Sequence, residues 1–275
     1  MLPRAFDVVV EDVRLESPDT ATLLLAAPDR PEYLAGQHLS LDPHQFPQLA
    51  ALTAQLEAQK GKKELPRKYS LSSAPHEPLL AITVKEEEPS GKYPPLLSGL
   101  LVRGLPRGTR FGAFGFMGPF VLREGEPGLV VHVVAGSGAA PGFGIVKDAL
   151  HRRLPHRHVW LASNKRRADV LFHDALLELQ RAHPDKLHVE NTLTRENVEG
   201  FGCGRITREL LERLIPSEER PTCQVFACGP AILPWDRKAA LEAGTDATPR
   251  FMESVMGFLN GMGIPPKRIH RETWG

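Results

Sequence analysis

The chain has 275 residues, 41% hydrophobic and 24% charged, enough for two ordinary domains or one large one. Its 34 basic and 33 acidic residues leave a formal charge of +1, which excludes the molecule-wide field that gathers nucleic acid or an anionic membrane. There is no apolar run of about 18 residues and no secretory signal pattern, so the expectation is a globular, cytoplasmic protein without a membrane segment.

Up to residue 125, the short alternating runs "FDVVVEDVRLES", "TATLLLAA", "GQHLSL" and "LLAITVKEEE" are separated by Pro and Gly. Alternation with tight turns predicts antiparallel strands and a small β-barrel over residues 1–125. Within it, residues 43–66 place Leu49, Leu52 and Leu56 at helical spacing. "RKYSLSSAP", residues 67–75, reads as a strand running into a turn, with Arg67, Tyr69 and Ser70 close together. "REGEPG", residues 123–128, is the natural linker.

Residues 126–275 change texture. "GLVVHVVAG" leads into "FGIVKDALHRRL", "HVWLAS" into "DVLFHDALLELQRAH", and "LHVENTLT", "ITRELLERLI" and "CQVFACG" precede a final helix-like "FMESVMGFLNGMG". Strands alternating with helical patterns imply βαβ units on a buried parallel sheet. The turn "GSGAAP", Gly136 to Pro141, sits between the first such strand and its helix. Glycines there let the backbone turn sharply and leave room for a pyrophosphate at a helix N-terminus. Pro141 stands where the G-x-G-x-x-G fingerprint has its third glycine, and a tight turn with no ligand is the competing explanation.

The cysteines, Cys203, Cys223 and Cys228, contain no C-x-x-C pair and fall one short of an iron-sulfur ligand set. No metal site is expected, and any electrons would move on an organic cofactor.

Four stretches together resemble the ferredoxin-NADP reductase family of flavoprotein reductases, in that family's order and over nearly the whole chain. "RKYS" resembles its flavin-binding R-x-Y-S, "GSGAAP" its G-x-G-x-x-P, "ACGP" its C-G-P and "RIHRETW" its carboxyl-terminal segment. The resemblance implies a flavin-binding barrel followed by a Rossmann-like nucleotide domain, with FAD and NADPH as cofactors. It also implies that Arg67 meets the flavin pyrophosphate, Tyr69 packs against the isoalloxazine and ribityl, and Ser70 faces N5. The family's Gly-x-x-Ser is replaced by a longer spacing from Gly91 to Ser98, which leaves Ser98 as the phosphate contact. Tyr93, in the same loop, is open to two readings, an adenine stack or a solvent-facing ring.

On the nicotinamide side the resemblance implies that Gly136, Ser137, Gly138 and Pro141 turn around the dinucleotide. Cys228, followed by Gly229 and Pro230, would lie where nicotinamide meets flavin and allow close approach without covalent chemistry. Cys203 and Cys223 lack that context and are expected to be buried packing residues. Glu272 would support proton movement or fix hydrogen bonds, and Trp274 would cover the flavin face, although Gly275 extends one residue beyond the family's aromatic end.

The strand tips bear on the choice of nucleotide, with a solvated turn as the competing explanation of "NKRR". Asn164, Lys165, Arg166 and Arg167 follow one strand and Thr194 and Arg195 the next, with no acid expected at either tip. Lys165, Arg166, Thr194 and Arg195 therefore favour the 2'-phosphate of NADPH over the ribose hydroxyls of NADH. No ferredoxin-like cysteine set is present, so the implied partner is a separate electron acceptor: a ferredoxin, a flavodoxin or an oxygenase component. Two alternatives stay open, an NAD(P)H-dependent reductase of free flavin or ferric chelates, and a redox-inactive binding subunit. Residues 43–66 and 231–250 exceed the family's usual lengths and could restrict substrate, form a docking surface or only stabilise.

Overall fold

The computed structural model describes residues 4–87, 89, 93–125 and 127–274, the side chains of Arg4 and Trp274 excepted. Gly91 and Gly275 lie outside the described residues. The chain divides into two compact units, Met1–Val121 and Leu122–Gly275.

The first unit contains β1 (Arg4–Ser17), β2 (Thr20–Ala26), β3 (His38–Leu41), α1 (Ala50–Lys60), β4 (Arg67–Ser70), β5 (Leu80–Lys85), α2 (Ser98–Arg103) and β6 (Arg110–Met117). Its antiparallel sheet runs β4-β3-β6-β1-β2-β5. The two ends meet through a bridge between Leu71 and Ile82 and the Ser72 N–H donating to the Ala81 carbonyl at 2.8 Å, which closes the barrel. Alternation puts Val8, Val10, Leu23, Leu25, Leu39, Leu41 and Ile82 inside, all 0% exposed. Hydroxyls complete the closure: Thr83 joins Thr22 at 2.8 Å and donates to Ser72 at 2.9 Å, while Ser73 accepts from the Ala81 N–H at 2.9 Å.

The helical spacing in residues 43–66 becomes α1. Leu49 and Leu56 are buried in the barrel core and Leu52 packs against it. Gly61, at φ +64°, ends the helix in the left-handed conformation that an L side chain resists.

The second unit contains β7 (Leu129–Ala135), α3 (Ala139–His151), β8 (Arg157–Asn164), α4 (His173–Ala182), β9 (Leu187–Leu193), β10 (Gly202–Cys203), α5 (Arg208–Leu214), β11 (Gln224–Pro230), α6 (Pro234–Glu242), α7 (Phe251–Gly261) and β12 (Ile269–Trp274). The sheet order is β10-β9-β8-β7-β11-β12 with parallel pairing throughout. One apolar cluster joins Val131, Val133, Leu161 and Val225 of the sheet to Leu211 of α5 and to Val255 and Leu259 of α7. On alternate positions, His132 of β7 lies between Trp160 and Phe226 in register, and α3 approaches it at Gly142.

One expectation needs correction. Cys203 is exposed, because it belongs to a two-residue strand at the sheet edge, whereas Cys223 is buried as expected. The extra segment 231–250 forms α6, which buries no residue and leaves Trp235 and Leu241 exposed. Among the described residues no helix is long and apolar enough to cross a membrane.

Candidate functional site

The second unit's sheet turns back at β7. From there the chain steps outward through β8 and β9 and returns to place β11 on the other side of β7. In open sheets of this kind, ligands bind outside the carboxyl ends of the strands where the order reverses. Gly136 to Gly138 leave β7 at that point, and Cys228, Gly229 and Pro230 end β11 beside them. A Cβ on Gly138 would lie 2.3 Å from the Cys228 carbonyl oxygen, so only glycine permits the approach. Gly136 has φ +54° with open space on its Cβ side. Ser137 is half-buried and Pro141 is buried in the first turn of α3. Gly229 is equally constrained, since a Cβ there would meet the Phe251 ring at 2.5 Å.

Cys228 is 0% exposed and pairs in register with Val134 on one side and Glu272 on the other. Glu272 is half-buried on β12. Trp274 pairs with Pro230 through the backbone, and its side chain lies outside what is described.

Asn164, at the end of β8, accepts from the Gly136 N–H through Oδ1 at 3.2 Å. Its carbonyl accepts from the Thr194 N–H at 2.9 Å, and the Lys165 carbonyl accepts from the Arg195 N–H at 2.9 Å. These bonds tie the two strand tips together and leave Lys165, Arg166, Thr194 and Arg195 exposed on one rim. The expectation that no acid sits there is corrected. Asp169 accepts from the Arg166 N–H at 3.0 Å and Glu196 from the Arg167 N–H at 2.9 Å. Asp169 caps its own turn three residues on, and Glu196, which follows Arg195 directly, crosses from one strand tip to the other.

In the first unit, β4 pairs with β3 so that Arg67 faces Leu41, Tyr69 faces Leu39 and Ser70 faces His38. Arg67 donates to Glu64 Oε2 and to the Leu65 carbonyl, both at 2.5 Å. Tyr69 packs against the barrel core, and burial first, then the nearby Glu87 carboxylate, pushes its phenol well above the ordinary range, so it stays protonated. Ser70 is 5% exposed. His38 is missed by motif reasoning. It is 7% exposed, burial followed by Lys68 lowers its imidazole, and its Nε2 has no hydrogen-bond partner among the described residues. A buried polar atom left open beside Ser70 fits a site whose ligand carries ring nitrogens and carbonyls. Ser98 opens α2, is 3% exposed, and its hydroxyl accepts from the Glu87 N–H at 3.0 Å. Tyr93 is half-buried against the barrel, with the Lys60 ammonium 4.7 Å from its ring centre.

Comparison with known proteins agrees with both halves. Residues 133–234 match the model of the oxidoreductase NAD-binding domain. Over its whole length the chain superposes on the flavohemoglobin-like FAD/NAD-binding domain of nitric oxide dioxygenase from Vibrio cholerae, with TM-score 0.75, 22% identity and 98% of each chain covered. This chain has the fold of the ferredoxin-NADP reductase-like flavoprotein reductases. Among curated reductases it is 32% identical over 170 residues to an NADPH oxidoreductase of Mycobacterium tuberculosis, covering 60% of this chain and 40% of that one. It is 26% identical over 272 residues to the ferredoxin reductase component of 3-ketosteroid-9-alpha-monooxygenase from the same organism, covering 98% of this chain and 65% of that one. The chain thus spans less than two thirds of either relative. In this reductase fold, Arg67, Tyr69, Ser70, Ser98 and His38 lie in the barrel unit, and the glycine turn, Cys228, Glu272 and the cationic rim in the NAD-binding unit.

Proposed function

We propose that this chain is an FAD-dependent NAD(P)H oxidoreductase that takes a hydride from NADPH and passes electrons singly to a separate acceptor protein. The observation that carries the reading is the crevice at the switch point, where Gly138 meets the Cys228 carbonyl at a distance only glycine allows. That crevice is the place for a pyridine dinucleotide pyrophosphate, received by the amides at the start of α3. The buried thiol of Cys228 leaves room for a nicotinamide ring without offering a competing nucleophile. Glu272 holds or passes a proton there, a role supported by its pairing in register with Cys228. Lys165, Arg166 and Arg195, with the Thr194 hydroxyl, receive the 2'-phosphate, a contact that distinguishes NADPH from NADH.

In the barrel unit, Arg67 is the cation for the flavin pyrophosphate, Tyr69 the apolar wall and Ser70 the hydroxyl at the ring nitrogen that accepts hydride. His38 adds a second polar group beside Ser70. When bound, FAD supplies the conversion of a two-electron hydride into single electrons. The protein contributes orientation, charge at the phosphates and exclusion of water.

A separate protein acceptor is supported by the relative that serves as a ferredoxin reductase component. NADPH oxidation by the purified protein, compared across ferredoxin, flavodoxin, free flavin and ferric chelate, tests the reading. Faster turnover with a protein acceptor is expected. Turnover with small acceptors alone would make it a small-molecule reductase, and a flavin-free protein inert toward NADPH would refute the proposal.

A further inference from the structure

The segment between β3 and β4 has a task that the flavin reading above, on which this inference rests, does not assign. We propose that α1 and the turn after it form the cup for the adenylate half of FAD, and so make this chain select FAD over FMN.

A cleft of about 490 Å³ is lined by Lys60, Lys62, Lys63, Glu64, Arg67 and Tyr93. Its size falls among small-ligand sites, which run from about 300 to 1,000 Å³. Lys60 closes α1, Lys62, Lys63 and Glu64 follow it, Arg67 opens β4, and Tyr93 comes from the loop ahead of α2. Four cations face one carboxylate, in a molecule whose formal charge is only +1. Glu64 is buried, which pushes its carboxyl up, but hydrogen bonds from Lys60 and Arg67 outweigh this and hold it below the ordinary range. It therefore stays ionised and fixes Lys60 and Arg67 at the cleft. Lys62 and Lys63 stand exposed. A flat aromatic wall beside clustered ammonium groups is the chemistry that receives a purine carrying phosphates. A concave cleft with such a wall favours that ligand over the face of an acidic protein.

The cup is built firmly. Leu49 and Leu56 anchor the helix in the barrel core. The Glu57 carboxylate accepts from the Glu64 N–H at 2.8 Å and bonds His44 Nε2 at 2.8 Å, while His44 Nδ1 bonds Asp42 at 2.5 Å. Gly61 then turns the chain so that Lys62 and Lys63 come back toward Arg67. FMN has one phosphate and no purine, so it would leave the cup empty.

The test uses the full chain, stripped of flavin and titrated with FAD or FMN, with dissociation constants read from flavin fluorescence at fixed ionic strength. Lys62→Gln/Lys63→Gln, both at exposed positions, is expected to weaken FAD by about tenfold and leave FMN nearly unchanged. Tyr93→Ala is expected to move the FAD-to-FMN ratio the same way. Equal weakening of both flavins, or no change in either, would overturn the proposal. Unchanged FAD affinity with slower transfer to an acidic protein acceptor would overturn it in favour of a docking surface. A wild-type chain that binds neither flavin would instead refute the flavin reading beneath it.

Discussion

At the seam that closes the barrel, buried hydroxyls are matched to one another: Thr22, Thr83 and Ser72 form one chain, and Ser73 joins Tyr33 to the Ala81 amide. In the parallel-sheet unit the equivalent interior holds imidazoles. His132 Nε2 lies 3.1 Å from His158 Nδ1, and His132 Nδ1, His158 Nε2 and both nitrogens of His156 have no partner among the described residues. The His132 ring stacks with Phe226, which stacks in turn with His270. The barrel seam therefore closes with groups that hold no charge at any ordinary pH, and the parallel-sheet interior with groups that must remain neutral. Polar satisfaction at the barrel seam is independent of pH, although His38 is a buried imidazole of the same unit, whereas the nucleotide unit depends on keeping His132, His156 and His158 unprotonated.

The largest way to separate the units is Gly138→Ala. Its Cβ would press on the Cys228 carbonyl, a backbone clash costing about 3 kcal/mol, at the upper end of overpacking penalties. Flavin reduction by NADPH should fall by about 100-fold or more, because the nucleotide is displaced at the hydride step. Flavin content should not change. A variant that is reduced at the wild-type rate would remove the glycine turn from the site.

Arg67→Ala is the matching change in the barrel. Losing a charge-assisted phosphate contact of about 1.5 to 3 kcal/mol should raise the flavin dissociation constant by about tenfold or more. Pyridine nucleotide binding should be unaffected, and full flavin retention would contradict the role given to Arg67.

Acid should find the nucleotide unit first. His158 is lowered to about 3 by burial, then by His156 and Lys186, and His132 is lowered by burial and then by His158. A depressed folded pKa means that stability is complete above the unfolded value of about 6.5 and drains as pH falls toward 3. At pH 5 the loss from His158 is about 2 kcal/mol. In the barrel, His38 shares this sign, while His44, raised by Asp42 and then Glu57, has the opposite sign and is fully stabilising in acid. All three tryptophans lie in the nucleotide unit, so tryptophan fluorescence during thermal melts reports on it alone. Its melting temperature should drop between pH 7 and pH 5, and a flat profile would contradict the account.

The smallest expected effect is at the rim. Arg195→Ala should weaken NADPH by about tenfold, or about 1.4 kcal/mol, and hardly alter NADH. The ratio of the two kcat/KM values, at one ionic strength, is the readout. If both nucleotides weaken equally, Arg195 supports the loop through its bond to Lys165 and does not read the phosphate.

Much of this plan is visible before any coordinates. The change from period-two runs to strand-helix alternation marks the two architectures, and the Leu49, Leu52 and Leu56 spacing marks α1. The glycine turn and the C-G-P stretch are legible as motifs because each depends on local backbone geometry. What stays hidden depends on which strands become neighbours. His132 and His158 are 26 residues apart and look like ordinary strand residues until the sheet places them side by side. Ser72 and Ser73 read as turn residues, yet they help close the barrel. Glu196 follows Arg195 directly, but its bond to the Arg167 N–H appears only once β8 and β9 lie side by side. Cys203 looks like a packing thiol because nothing in its neighbours shows that its strand is an edge.

The most direct measurement of the central claim is anaerobic mixing of the purified protein with NADPH in a stopped-flow spectrometer. The account predicts bound FAD whose absorbance bleaches on mixing, with one NADPH consumed per flavin and NADH reacting more slowly. A protein that carries no flavin, or whose flavin stays oxidised with either nucleotide, would contradict it.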